Sequence, residues 1–237
     1  MELELFIYFR ACEKQETISY VKRFKDTSKT TILKKCWLSL QESVDSTDTV
    51  IVIHDTVSTP TLQWLGATSK ASVHFVEVPE HDWSYHQHTV TLIETLKAKC
   101  KEFPTELHYI VEDDYLHAPN AIRVMQDTLT LWPNFAVSYD YPDRYTKPVP
   151  SYVVLGKDRH WRTIDSCTMT VVALGSRWTD IMPELEACAP TSNDKVFEEV
   201  FKQIPCISPM PGLASHMTDH HLTPLVDWDR IWENYNV

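Results

Sequence analysis

The stretch Tyr109-Ile110-Val111-Glu112-Asp113-Asp114-Tyr115 joins an apolar run to three consecutive carboxylates. The run from Leu107 to Val111 predicts a strand, and ligands of open parallel sheets bind beside the carboxyl ends of the strands. Neighbouring carboxylates repel one another unless a cation lies among them, and their oxygens are the ligands that Mg²⁺ and Mn²⁺ prefer. The stretch therefore predicts a metal site at a strand end. The alternative is a solvated acidic turn that caps the next helix.

Strand and helix patterns alternate along the chain around this stretch. Strands are predicted over residues 5–9, 49–54, 73–78 and 107–111, and helices over 31–43, 61–68, 86–101 and 120–131. This order is typical of an α/β fold in which helices flank a mostly parallel sheet.

The second half of the chain is less regular than the first. It predicts strands over 153–155 and 169–174 and helices over 176–187 and 193–204, followed by a tail rich in histidine. No linker-like segment separates the two halves. We therefore expect a single domain over residues 1–237.

Composition excludes several functional classes. Only four glycines occur among 237 residues, and neither a Walker loop nor a GxGxxG loop is present. Hydrophobic residues make up 43% of the chain, which is enough for a packed core. The net charge of −11 disfavours a nucleic-acid partner without excluding it, because a local basic patch can occur in an acidic protein.

The sequence predicts a cytoplasmic protein without a membrane span. The longest apolar runs, such as Val50-Ile51-Val52-Ile53, have the length of a strand. The N-terminus lacks the basic and apolar regions of a signal peptide. The six cysteines form no CxxC pair, which favours reduced and mostly buried thiols.

The order of these parts resembles the GT-A type of nucleotide-sugar glycosyltransferase. Glu112-Asp113-Asp114 is similar to the DXD motif of that family in its Glu-x-Asp form. The resemblance implies a GT-A-like, Rossmann-like fold, in which residues 1–118 bind the nucleotide sugar and residues 119–237 form the acceptor side and tail. It also implies an inverting, metal-dependent transfer of a sugar from a nucleotide-diphosphate sugar to a glycan or other hydroxyl acceptor.

The resemblance also implies roles for residues that hold the metal and the donor. It makes Asp114 a direct ligand of Mn²⁺ or Mg²⁺, with His216 as a further ligand. Glu112 would face the ribose or a water on the metal. The donor-binding residues that the resemblance implies are Arg10, Asp55, Glu112 and Asp113. Alternatively, Arg10 forms a surface ion pair, Asp55 caps a turn and His216 is an ordinary histidine.

An inverting transfer needs a base that removes the proton of the acceptor hydroxyl. Asp194 is our candidate, because it begins a predicted helix whose apolar stripe is Phe197, Val200, Phe201 and Ile204. The alternative is a helix cap, since acids favour the first turn of a helix. Asp165 and Glu198 are the rival candidates for the base.

Other functions remain open at this point. His216 and His220 have the H-x3-H spacing of zinc ligands, although no CxxC pair supports a closed zinc site. A sugar nucleotidyltransferase shares the alternating fold but would use a glycine-rich loop, and residues 9–20 contain no glycine. A metal-dependent hydrolase of nucleotide sugars and a non-catalytic nucleotide-sugar-binding module are the remaining alternatives. The loop Tyr139–Tyr145 is the predicted acceptor-side segment.

Overall fold

The structure, a computed structural model, describes residues 4–13, 22–79, 85–147, 149–168, 170–193 and 195–237. The strands in this part of the chain are β1 (Leu5–Cys12), β2 (Thr49–Asp55), β3 (Ser72–Glu77), β4 (Leu107–Glu112), β5 (Tyr115–His117), β6 (Phe135–Val137), β7 (Val153–Leu155), β8 (His160–Ile164), β9 (Val171–Leu174), β10 (Cys206–Met210) and β11 (Ala214–His216). The α-helices are α1 (Lys29–Ser43), α2 (Thr59–Thr68), α3 (Tyr85–Glu102), α4 (Ala121–Leu131), α5 (Gly175–Asp180), α6 (Met182–Cys188), α7 (Val196–Phe201) and α8 (Trp228–Glu233).

Nine of these strands form one sheet in the order β3-β2-β1-β4-β9-β6-β10-β8-β7. The first four are parallel, and β9 is antiparallel to both β4 and β6. The second half of the chain thus extends the sheet that the first half begins. The structure is a mixed α/β fold with a large, mostly parallel sheet flanked by helices, as the sequence predicts.

Helices cover both faces of the sheet because the central strands are apolar on both sides. Leu5, Ile7 and Phe9 of β1 face a core that includes residues of α1, α2 and α4. Phe6 and Tyr8 face a second core, which includes residues of α3, α5, α6 and α7. The direction in which successive strands are added to the sheet reverses at β1. The strands β2 and β3 extend the sheet from one side of β1, and β4 pairs with its other side. Such a switch point is where ligands of α/β sheets bind.

The predicted bounds of two helices are wrong. Residues 176–187 do not form one helix, because α5 ends before Ile181 and α6 begins at Met182. Pro183 in the first turn of α6 explains the break, since it has no backbone N–H to continue the preceding helix. The helix predicted over 193–204 is the shorter α7, Val196–Phe201.

The C-terminal tail returns to the strand that follows the acidic stretch. β11 pairs antiparallel with β5, and this register sets His216 opposite Tyr115. α8 packs Trp228 and Trp232 into a third core that contains Phe24 and Ile32.

The described helices do not include one with the length and apolar character needed to cross a membrane. All six cysteines lie among the described residues, and none forms a disulfide there.

Candidate donor and metal site

The candidate site lies at the carboxyl ends of β1, β2 and β4. Cys12 pairs with Asp55 in the register of β1 and β2, and Arg10 pairs with Glu112 in the register of β1 and β4. Because the three strands are parallel, the residues that end them share one edge of the sheet. The predicted donor-binding residues Arg10, Asp55 and Glu112 are therefore brought to one edge.

Arg10 and Glu112 form an ion pair across this edge. Nη1 of Arg10 donates to Oε1 of Glu112 at 2.7 Å, and 17% and 28% of their side chains are exposed. Both side chains of this pair are therefore partly exposed. Of the two roles considered from the sequence, the structure has the ion pair, and phosphate binding by Arg10 remains a prediction.

Asp113 points into the protein and connects the end of β4 to β1 and α1. Its Oδ2 accepts a hydrogen bond from the backbone N–H of Cys12 at 2.8 Å. Its Oδ1 accepts from the ammonium of Lys29, the first residue of α1. The Asp113 residue is 4% exposed, so the carboxylate braces β1, β4 and α1 in this structure.

Asp114 contacts His216 from the other end of the chain. Nε2 of His216 lies 3.2 Å from Oδ2 of Asp114, and Nζ of Lys29 lies 3.7 Å from the same oxygen. Oδ1 of Asp114 is buried and has no hydrogen-bond partner among the described residues. The pairing of β11 with β5 produces this contact, which the sequence pattern alone does not predict.

The cluster strongly perturbs the ionisation of its members. Burial would raise the pKa of Asp114, but His216 and Lys29 hold that pKa below its ordinary value. Burial raises the pKa of Glu112 and of Asp113 despite the opposing charges of Arg10 and Lys29. Asp114 is therefore the carboxylate that most favours the ionised form a metal ligand needs.

Asp113 and Asp114 also determine the charge of their cationic neighbours. Burial would lower the pKa of Lys29, but the two carboxylates raise it above the ordinary lysine value. Burial likewise opposes the charged form of His216, and Asp114 nevertheless raises its pKa. Lys29 therefore stays charged at neutral pH within this cluster.

The residues of the cluster fit a divalent cation with two protein ligands. Asp114 has a buried oxygen without a hydrogen-bond partner in the described structure, and His216 adjoins its other oxygen. Among the described residues, no group of three or more His, Cys, Asp or Glu side chains could hold a metal ion. Mg²⁺ sites commonly take one or two protein carboxylates and complete their coordination with water and substrate phosphates. Asp114 and His216 can serve as the protein part of such a site.

Two of the three candidate bases, Asp165 and Glu198, lie among the described residues, and their surroundings differ. Asp194 lies outside the described residues. Asp165 accepts from Arg144, and although burial opposes ionisation, this partner lowers the pKa of Asp165 and weakens it as a base. Glu198 is exposed in the first turn of α7.

The predicted acceptor-side loop contains buried polar contacts. Asp140 is 0% exposed and accepts hydrogen bonds from Arg162 and from the hydroxyl of Tyr145. The hydroxyls of Tyr115 and Thr168 lie 3.0 Å apart, and Tyr141 also contacts Thr168. The loop Tyr139–Tyr145 is therefore connected through Thr168 to Tyr115, the residue next to Asp114.

Sequence reasoning missed three residues of the site: Lys29, Cys12 and His221. Lys29 stands at a helix start after an N-cap serine, where a lysine in the first turn runs against the helix dipole. This unfavourable placement of a lysine is the sequence signal that could have identified Lys29 as a residue of the site. The backbone contact of Cys12 left no signal in the sequence. His221 is exposed, as its neighbour His220 is, but its Nδ1 lies 3.2 Å from Nδ1 of His216.

Comparisons with known proteins give structural similarity only. No protein-family model matches the chain, and no curated protein matches its sequence. A 4-diphosphocytidyl-2C-methyl-D-erythritol synthase from Anaerococcus prevotii is 9% identical, with a TM-score of 0.48 over 98% of this chain and 95% of its own. A second structure of that synthase is 7% identical, with a TM-score of 0.46 over 84% and 86%.

A CMP:2-keto-3-deoxy-manno-octonic acid synthetase complexed with CTP is 11% identical. Its TM-score is 0.46 over 88% of this chain and 92% of its own. At TM-scores below 0.5, these similarities do not identify a reaction for this chain.

Proposed function

We propose that the protein is a metal-dependent glycosyltransferase that moves a sugar from a nucleotide-diphosphate sugar to a hydroxyl acceptor. The observation that carries the proposal is the contact of Asp114 with His216, beside Lys29, at the switch point of the sheet. A carboxylate, an imidazole and an ammonium together suit a diphosphate and its divalent cation. The resemblance of Glu112-Asp113-Asp114 to the DXD motif agrees with this chemistry.

The residues of the site have separate tasks under this proposal. Asp114 and His216 would hold Mn²⁺ or Mg²⁺, which supplies positive charge for the departing diphosphate when bound. Lys29 and Arg10 would bind phosphate oxygens, because both cations lie at the same edge of the sheet. Asp55, at the end of β2, would bind the base or ribose of the donor.

Asp194 would act as the base in a single inverting displacement. It removes the proton of the acceptor hydroxyl, whose oxygen bonds to the anomeric carbon as the bond to the diphosphate breaks. An ordinary aspartate is ionised at neutral pH, since its pKa is about 4. The pairing of the rival Asp165 with Arg144 supports this choice.

Nucleotidyl transfer is the second candidate, and Lys29 is the observation that favours it. A nucleotidyltransferase must bind a triphosphate, and this chain lacks the glycine-rich loop that would do so. Lys29 begins the 15-residue helix α1, and its ammonium contacts the acidic cluster. The ammonium and the N-terminal N–H groups of α1 could bind phosphates in place of that loop.

Product analysis separates the candidates. The protein would be incubated with Mn²⁺ and either a panel of nucleotide sugars with hydroxyl acceptors or nucleoside triphosphates with sugar phosphates. Release of a nucleoside diphosphate together with a glycosylated acceptor is the expected result. Release of pyrophosphate would indicate nucleotidyl transfer, and release of free sugar and nucleotide without a glycosylated acceptor would indicate hydrolysis. Binding without turnover in any mixture would indicate a non-catalytic module.

A further inference from the structure

Both ring nitrogens of His216 have neighbours that can hydrogen-bond. Nε2 lies 3.2 Å from Oδ2 of Asp114, and Nδ1 lies 3.2 Å from Nδ1 of His221. The hydroxyl of Thr218 lies 3.4 Å from the same Nδ1. One face of the His216 ring stacks on Tyr115, with centroids 5.1 Å apart and an interplanar angle of 16°. The orientation of the His216 ring is therefore restrained on several sides.

The structure also holds His221 in place, although its side chain is exposed. The hydroxyl of Tyr139 donates to the backbone carbonyl of His221 at 2.5 Å, and the His221 N–H donates to the carbonyl of Thr218 at 3.0 Å. Two backbone hydrogen bonds thus fix the position from which the imidazole reaches His216. A histidine without such contacts would lose more backbone conformational entropy in forming this pair.

The two sides of the His216 ring are chemically linked. The carboxylate of Asp114 only accepts, so Nε2 of His216 donates to it in this structure. For Nε2 to offer a cation its lone pair in place of that hydrogen, the hydrogen of the neutral ring must be on Nδ1. That N–H then needs an acceptor, and the nearest is Nδ1 of His221. In metal sites, the hydrogen bond on the second nitrogen of a histidine fixes which nitrogen faces the metal.

We propose that His221 is a positioning residue that accepts the Nδ1–H of His216 and thereby keeps Nε2 as the nitrogen that faces Asp114 and a cation held by Asp114. The inference rests on the proposed metal site of Asp114 and His216. His221 itself does not contact the cation. Its contribution is to accept the Nδ1–H of His216, so that the second protein ligand is oriented before the cation binds.

The test measures the affinity of the protein for Mn²⁺ by electron paramagnetic resonance, with UDP and with GDP. His221→Phe keeps a ring but removes the acceptor, and we expect it to weaken Mn²⁺ binding about 10- to 100-fold. His221→Gln supplies an amide oxygen that can accept the same N–H, so it should restore most of the affinity. His220→Phe is the matched control, because His220 is the exposed neighbour, and it should bind Mn²⁺ as the wild type does.

Thermal unfolding in EDTA should give the same midpoint for all four proteins, which separates positioning from a loss of folding. Mn²⁺ binding by His221→Phe at the wild-type affinity would overturn the proposal. Equal losses in the Phe and Gln variants would also overturn it, since Gln provides an acceptor. If the wild type transfers sugar while either result holds, only the role of His221 fails. If the wild type binds no Mn²⁺ with either nucleotide, the metal site fails as well.

Discussion

Lys29 places a positive charge beside two carboxylates of the candidate site. Its ammonium bonds to Asp113 and lies 3.7 Å from Oδ2 of Asp114, and only 12% of its side chain is exposed. A cation held there partly neutralises the carboxylates and can also attract the phosphates of a donor. The acidic stretch is therefore better described as a mixed charge cluster.

Replacing Lys29 tests this description at the scale of one residue. Lys29→Met should weaken UDP or GDP binding about 10- to 100-fold, since a hydrogen bond to a charged group contributes about 1.5–3 kcal/mol. Isothermal titration calorimetry would measure the change. Lys34→Met is the control, because Lys34 lies on the same helix with its ammonium 5.1 Å above the ring of Trp64. Equal affinities of the two variants would contradict the role of Lys29.

Asp114 should be needed for both metal binding and turnover. Asp114→Asn removes the charge at nearly constant shape, so we expect turnover to fall about 10²-fold or more and the stabilisation by Mn²⁺ to disappear. Excess EDTA should likewise abolish turnover by the wild type. Asp127→Asn, which alters a surface ion pair with Lys157, should change neither measurement. Full activity in EDTA is the result that speaks against this prediction.

Asp194 is predicted to act on the acceptor without binding the donor. Asp194→Asn should reduce kcat about 10²- to 10⁴-fold while leaving donor affinity unchanged, because a positioned base contributes about that much to the rate. Asp165→Asn and Glu198→Gln should have smaller effects. Near-normal turnover by the Asn variant would make Asp194 a helix cap. A product that retains the anomeric configuration of the donor would remove the need for such a base.

The junction between β9 and α5 depends on a glycine at the scale of secondary structure. A Cβ on Gly175 would lie 2.5 Å from the carbonyl oxygen of Phe103 and 2.9 Å from Nε2 of His108. Gly66 in α2 differs, because its Cβ would meet only the ring of Phe75, at 3.7 Å. The two glycines therefore form a matched pair for substitution by alanine.

The two substitutions should change stability in opposite directions. Gly175→Ala should lower the free energy of unfolding by about 1–3 kcal/mol, since the backbone around it cannot accept a methyl group without moving. Gly66→Ala should raise it by about 0.5–1 kcal/mol, because alanine loses less entropy in a helix interior. Urea denaturation would measure both values. A stabilising effect at Gly175 would show that this junction is looser than the contacts indicate.

Several buried histidines make the stability of the whole molecule depend on pH. Burial lowers the pKa of His117 to about 3, and it also lowers the pKa of His54 and His108. In the unfolded chain these groups would titrate near 6.5. Between these values the unfolded state binds more protons, so their contribution to stability is present above about pH 6.5 and decreases as the pH falls. His216 opposes this trend, because its pKa is raised in the folded protein.

The free energy of unfolding should therefore fall between pH 7 and pH 5. Each histidine that stays neutral in the folded state contributes a slope of up to about 1.4 kcal/mol per pH unit once its unfolded form is protonated. Urea denaturation at several pH values would measure the slope. NMR of His117, whose ring contacts the hydroxyl of Tyr109 at 3.0 Å, should show a neutral imidazole throughout this range. Titration of His117 near pH 6.5 would contradict its burial.

The sequence patterns predicted the first half of the fold well. The strands β1 to β4 and the helices α1 to α4 lie close to where the apolar patterns indicate. The strands β1, β2 and β4 are mostly buried and therefore read as continuous apolar runs, whereas β3 is mostly exposed and was predicted from its alternation. The short strands β5 and β11 were not predicted. Three residues are too few to show a period, and each of these strands exists only because the other pairs with it.

What the sequence by itself determined is the α/β order and the position of three carboxylates at the end of a buried strand. Only the tertiary structure decided which cation faces each of them: Arg10 faces Glu112, Lys29 faces Asp113 and His216 faces Asp114. The members of these pairs are 84 to 102 residues apart. Periodicity reports whether a segment is buried, because burial follows from the local alternation of apolar residues. A charge pair instead depends on which distant segments the sheet order and the β5–β11 pairing bring within a few ångströms, and no local pattern encodes that distance.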